Sequence, residues 1–347
     1  MIKLELMIGA LLFLERCLLI RTYELIFGKP ITINNINSFD SVINDTQQNA
    51  YRVTDLHIEF DISKDNTHKS NNGSITIFNL SDDVVNYINQ NANQKLAVLL
   101  KAGYNGENQI IFQGEVSFFE DNWEGDLNTR QTKLTLKDGE TALLTATTNR
   151  SYKTGTLLNT VLADLISDLN LPQGRVIKYG SSDTLKFSKS FHGTASQNLN
   201  NLASATGRTF SVQDGSVYYT VQGKALKQTV LEISEESGML GIPTVRTMSA
   251  KQLYELEQKK DKTKKEAIKQ KIQNKEDTGL VVQCLLNGAI IPETTVYLNS
   301  RYLKGFYKVV EVNHKGAYEG DNWVTEMKLA EVNGKLITET YSNDSSQ

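Results

Sequence analysis

The clearest signal in the chain is an alternation of apolar and polar positions between Gly73 and Phe119. Ile75 and Ile77 alternate with Ser74 and Thr76, the two-residue period of a strand with one buried face, and Phe78 to Leu80 closes the run. Ser81 then offers a hydroxyl cap, and Asp82 and Asp83 place negative charge where the first free N–H groups of a helix would lie. Val84, Val85 and Ile88 supply its apolar side. Leu96, Val98 and Leu100 alternate again, Tyr104-Asn105-Gly106-Glu107 predicts a hairpin turn, and Ile110 to Phe119 returns as a second strand. The stretch predicts a strand, a helical plug and a β-meander.

The flanking segments extend this pattern. Leu18 to Phe27 reads as a strand ending at Gly28-Lys29-Pro30, Ile31 and Ile33 alternate, and Leu56, Ile58 and Phe60 alternate with His57, Glu59 and Asp61. Thr132, Leu134 and Leu136 begin another strand that stops at Asp138-Gly139 and lets the first sheet curl and close, which would hide its edges. The period then changes. Leu157, Leu158, Val161, Leu162, Leu165 and Ile166 form a helical stripe ended by Leu171-Pro172. A second helix runs from Thr194 through Leu199, Leu202 and Ala203 to Gly207, placed for a left-handed cap. Phe210 and Val212, a turn at Asp214-Gly215, then Val217 and Tyr219 predict a hairpin.

Strands return at Val230 to Ile233, Val281 to Leu286, Thr295 to Leu298, Gly305 to Val312 and Trp323 to Val332. Their order echoes the opening stretch: an alternating strand, a glycine-led strand, a hairpin bearing Trp123 or Trp323, then a Thr-bearing strand, as though one barrel were built twice. Residues 249–277 interrupt the second copy with no Gly or Pro, a capping box at Ser249 and Gln252, and a stop at Asp277-Thr278-Gly279. As one helix this insertion would span about 40 Å. Its sparse apolar positions predict a solvated surface projection or a short helical hairpin, and Glu255, Glu257, Glu266 and Glu276 among its lysines argue against a DNA-binding face.

Several short phrases carry a family resemblance. IFNLS at 77–81, the hairpin from AGY at 102–104 to IFQGEV at 111–116, the helix–helix–hairpin order after it, the corner SGMLGIPTVR at 237–246 and the loop HKGAYEGDNW at 314–323 come in the order seen in baseplate hub proteins of contractile phage tails. The chain resembles that family, whose fold is shared with the N-terminal part of type VI secretion spike proteins. The resemblance implies a mainly β fold: two similar β-barrel domains flanking a small α+β module. It divides the chain into an N-terminal extension (1–17), a first barrel (18–147), the middle module (148–225), a second barrel (226–335) carrying the 249–277 insertion, and a polar tail (336–347). It further implies a homotrimer that joins a tail tube protein to a central spike among other baseplate proteins. The complex would let DNA pass without specific binding, as part of a virion assembled in the host cytoplasm, with no stable membrane insertion.

Totals narrow the alternatives. At 347 residues the chain exceeds one ordinary core. Its 37 Lys+Arg nearly balance 40 Asp+Glu, which disfavours a protein whose work is gripping phosphates. The apolar run Leu6 to Leu14 is too short to cross a bilayer, which takes roughly 20 residues. Lys3 before it suggests a signal peptide, but Glu5 and the missing small-residue cleavage site point to a short helix or an upstream start. Cys17 and Cys284 are far apart and without metal spacing.

Candidate chemistry is thin. No G-x-S-x-G elbow is present, Gly223-Lys224 lacks the rest of a phosphate loop, and His57, His68, His192 and His314 are dispersed. His57 and Glu59 share a strand face, but no third ligand lies nearby. In the loop after His314, Gly316 and Gly320 are expected to shape a turn while Trp323 packs. The enzymatic alternative is a cell-wall glycosidase, for which Glu115, Glu120, Glu235 and Glu236 are the carboxylates to inspect. A β-rich surface adhesin is a third reading. The expectation is a structural protein, not an enzyme, with no catalytic residue, metal or cofactor.

Overall fold

The structure is a computed structural model; it describes residues 19–29, 50–91, 95–124, 129–224, 230–246 and 279–332. The N-terminal run, the 249–277 insertion and the C-terminal tail lie outside the described residues. The first region comprises β1 (Arg21–Gly28), β2 (Ala50–Val53), β3 (Ile58–Asp65), β4 (Asn72–Phe78), α1 (Asp82–Asn91), β5 (Ala97–Tyr104), β6 (Glu107–Glu124), β7 (Thr129–Lys137) and α2 (Glu140–Thr145). Next come β8 (Thr147–Tyr152), α3 (Leu158–Leu169), β9 (Gln173–Val176), β10 (Lys189–Thr194), α4 (Ala195–Ala205), β11 (Arg208–Gln213) and β12 (Ser216–Val221). The last region holds β13 (Val230–Ser234), β14 (Met239–Arg246), β15 (Gly279–Leu285), β16 (Thr295–Asn299), β17 (Lys304–Ala317) and β18 (Trp323–Glu331).

The mainly β class with an α+β insert is what the structure shows, and local chemistry explains its elements. On β3, Ile58, Phe60 and Ile62 point inward while Glu59 and Asp61 stay exposed. Asn105 and Gly106 both take positive φ, as a two-residue turn between right-twisted strands requires. On α3, Val161, Leu165 and Leu169 are buried on one stripe, and Asn170 in the left-handed region ends the helix. The α3 and α4 helices share a core with the β11–β12 hairpin, where Phe210, Val212, Val217 and Tyr219 are buried.

Thirteen strands of the first and last regions form a single sheet. Within it, one arrangement occurs twice. The order β1-β5-β6-β7-β4-β3 in the first region is matched, in the same chain sequence, by β13-β16-β17-β18-β15-β14 in the last. The match reaches details. The β6–β7 ladder slips by one residue between Val116 and Phe118, and the β17–β18 ladder slips between Val309 and Glu311. Each slip is a β-bulge that bends a long strand so its two halves can serve different neighbours. The copies also differ: β2 and α1 have no counterpart, β13 pairs β16 in parallel where β1 pairs β5 antiparallel, and the β14–β15 ladder shifts register where β3–β4 does not.

The expected pair of separately closed barrels is not found. Among the described residues no ladder joins β1 or β2 to β3, and none joins β13 to β14. Instead β17 runs well past its five-residue partner β16, and its far half is taken by β3 over seven paired positions from Glu311↔Asp65 to Ala317↔Glu59. Side chains cover the remaining gap. Trp323 from β18 enters the first region's core, 5.3 Å from the Phe60 ring, and its indole N–H donates to the Gly103 carbonyl. Tyr23 donates to the Leu56 carbonyl and meets Tyr318 edge to face at 5.0 Å.

This junction leaves no room at Gly316. A Cβ there would lie 2.2 Å from the Phe60 ring and 2.9 Å from that of Trp323, both of them core groups. Gly316→Ala is therefore expected to lose about 1–3 kcal/mol of stability, as overpacked cores do. The check is a lower urea midpoint at unchanged slope.

Candidate functional site

The apolar stripe of β3 ends on a charge. Lys64 occupies the next inward position after Ile62 and is fully buried. Its ammonium lies 2.7 Å from both carboxylate oxygens of Asp214, at the tip of the β11–β12 hairpin. Asp214 and Gly215 take φ 50° and 73°, so the tip is a tight turn whose N–H groups point forward. Both are received by Asp138, fully buried at the end of β7, at 2.7 Å each. Asn71 ties the tip further, donating to Asp138, to the Val212 carbonyl and to Gln213 Oε1. Gln213 in turn donates to the Asp65 carbonyl.

A second buried cluster lies at the open end of the same hairpin. Glu293, held at φ 76°, receives the Lys308 ammonium of β17, the Thr220 hydroxyl of β12 and, at 3.0 Å, the Asn66 amide from the β3–β4 turn. Lys308 also donates to the Val221 carbonyl. Residues of all three regions meet in these two clusters, so the helical module is pinned between the two copies of the repeat by directional bonds.

The local fields follow from burial. Burial and the neighbouring Asp214 charge push the Asp138 carboxyl up to about 7, against the Gly215 N–H, the Lys64 charge and the Asn71 amide, which favour its ionised form. His314, fully buried on β17 and bonded through Nδ1 to the Thr325 hydroxyl, is held well below the usual imidazole value by burial and by Lys64. A shallow cleft of about 280 Å³ also runs over the outer face of β3, β4 and β17. Glu59, Asp61, Lys133 and Lys315 line it together with Ser74 and Thr76, a mixed-charge surface whose lining holds no histidine or cysteine to activate a hydroxyl or act in its place.

The residues singled out by sequence are scattered. His57 Nε2 sits 3.6 Å from Glu59, its Nδ1 accepts the Glu319 N–H, and its ring lies against Phe78. Among the described residues no three His, Cys, Asp or Glu side chains gather as a metal would need. Glu115 caps the start of α2, accepting the Thr141 N–H and hydroxyl. Glu120 is exposed on β6, opposite Lys133. Glu235 and Glu236 are exposed in the turn between β13 and β14, and none of these four acids lines the cleft. His68 is half-buried and His192 exposed on β10. Cys284 is buried, its thiol pushed up to about 12 by desolvation, whereas Cys17 lies outside the described residues. Gly223 and Lys224 follow the end of β12 in a turn, with Gly223 at φ 67°. Trp323 packs as expected, 2 % exposed.

The sequence reading passed over Lys64, Asp138, Asp214, Glu293 and Lys308. The one available signal was Lys64 itself, a cation at an inward position of an alternating strand. Asp138-Gly139 and Asp214-Gly215 read only as turns.

No protein-family model and no curated protein matches the chain. Solved structures do, and they are phage tail proteins and relatives of these. A tail protein from Neisseria meningitidis MC58 superposes with a TM-score of 0.54 at 13 % identity, covering 88 % of this chain and 96 % of that one. The 43 kDa tail protein of prophage MuSo2 from Shewanella oneidensis gives 0.53 at 8 % identity over 89 % and 98 %. The E. coli c3393 protein, described as a type VI secretion component with structural similarity to the T4 tail proteins gp27 and gp5, gives 0.53 at 9 % identity over 82 % and 76 %. The chain therefore shares its fold with these tail proteins. No described helix is long and apolar enough to cross a membrane.

Removing one partner of a buried ion pair typically costs 3–5 kcal/mol because the other charge is stranded. Lys64→Met and Asp214→Asn are each expected to lose about this much in urea denaturation, with the double variant losing clearly less than the sum.

The two shifted groups have opposite pH signs. The His314 value is depressed by folding, so its contribution is present above the unfolded value of about 6.5 and is lost as the pH falls below it. His314→Gln should flatten the acid limb of the stability profile. The Asp138 value is raised, so its contribution is lost as the pH rises toward about 7. The stability gap between wild type and Asp138→Asn should narrow from pH 5 to pH 8.

Proposed function

We propose that the chain is a structural baseplate hub of a contractile phage tail or tail-like particle. In this reading it is a homotrimer whose ring joins the tail tube to the central spike. The observation that carries the reading is the twofold occurrence of one strand order within a single chain, the copies continuous through the β17–β3 ladder. Three such chains present six similar units. That geometry can meet a six-fold tube on one side and a three-fold spike on the other, a symmetry mismatch that one unit per chain would not resolve.

The buried charged clusters support a mechanical role. A ring between tube and spike must hold its two units at a fixed spacing while neighbouring parts move. Bonds that converge from all three regions on one hairpin resist relative rotation more than an apolar contact would. A net charge of −3 suits a conduit, since a strongly basic passage would retain DNA. The proposed function requires no catalytic group, and the chain acts through its tube, spike and neighbouring baseplate proteins in the virion.

Sedimentation equilibrium of the purified chain is expected to give the mass of three chains, and co-sedimentation with tail tubes is expected to place it at tube ends. A purely monomeric chain that ignores tubes, or clearing of purified cell wall in a zymogram, would overturn the reading.

A further inference from the structure

Within the chain, β3 adds to the far half of β17, where Val312 and His314 become fully buried. The repeat puts β6 in the place of β17 and β14 in the place of β3. Aligning the two ladders through their shared bulge sets Phe118 where Glu311 stands, Asn122 where Lys315 stands and Trp123 where Gly316 stands. Aligning β4 with β15 sets Thr244 where Asp61 stands. Yet the corresponding ladder is not made.

The far half of β6 has β7 on one side and, among the described residues, no strand on the other; β14 pairs only with β15. Both bare edges carry exposed apolar side chains. Phe118 and Trp123 are 57 % and 55 % exposed, and Ile242 and Leu240 are 66 % and 36 % exposed. Open edges of this kind template pairing with another chain, and proteins blunt them unless they are used. Six strands lie between β14 and β6 in the sheet order, so a second copy of the chain is the natural source of each missing neighbour.

We infer that β14 of one copy adds antiparallel to the far half of β6 of the next, repeating between chains the ladder that β3 makes with β17 inside one. The register carried over sets Thr244 opposite Asn122 and Leu240 opposite Glu124. Gly241, Ile242 and Pro243 fall at the β14–β15 register shift, opposite Trp123, so the proline is not asked for an N–H it lacks. Each copy offers one edge of each kind, so the contact is head to tail and must either close into a ring or run on as a filament. This inference rests on the hub reading only for the number three.

The test is a cysteine pair in the full-length chain, with Cys17→Ser so that the buried Cys284 is the one native thiol left. On mild oxidation Asn122→Cys combined with Thr244→Cys is expected to give covalent dimers and trimers, ending at the trimer. Either single variant, and Thr244→Cys with the out-of-register Ser117→Cys, should give none. A trimer in sedimentation without cross-links, or equal cross-linking by the out-of-register pair, overturns the strand addition and leaves the hub standing. Cross-linked products that continue past the trimer support the strand addition and overturn the closed ring. A chain that neither associates nor cross-links overturns both.

Discussion

The antiparallel ladder between β17 and β3 is the contact on which the rest of the molecule depends. It makes two β regions, more than two hundred residues apart in the chain, parts of one hydrogen-bonded sheet. A strand edge left open is a liability, and this one is satisfied inside the chain. The bulge between Val309 and Glu311 bends β17 so that its near half serves β16 and its far half serves β3. Without that bend the two regions would meet only through side chains.

The charged clusters at the two ends of the β11–β12 hairpin fix what the ladder leaves free. A ladder sets register along its strands but lets two sheets hinge about it, whereas Lys64, Asp138 and Asp214 hold the tip of the hairpin and Glu293 and Lys308 hold its open end. Buried ion pairs are a poor way to gain stability, since desolvation offsets much of the attraction. Their retention here fits a demand for orientation, because misplacing the tip strands the Lys64 charge, which no solvent reaches.

Much of the strand plan was legible because alternation is a local signal. The predicted stretches at Ile75–Phe78 and Thr295–Leu298 lie in observed strands, that at Leu96–Leu100 does so from Ala97 onward, and the hairpin turn at Asn105-Gly106 is found. Short polar strands such as β8, TTNRSY, and β10, KSFHGT, were missed, since their pairing supplies what their composition does not. Closure was misjudged for a related reason. Alternation tells which face of a strand is buried but not which edge finds a partner, so β17 taking β3 was invisible in the sequence. The junction residues were hidden too, because a buried aspartate in a turn and a solvated one look alike in sequence.

At the far edge of the sheet, Arg246 and Gly279 stand directly opposite each other as the last pair of the β14–β15 ladder. The 32 residues between them therefore leave and re-enter the fold at a single point, in the place that the short β3–β4 turn holds in the other copy. A change in the length of this segment therefore need not move any strand of the sheet, because both of its ends already sit on one strand pair.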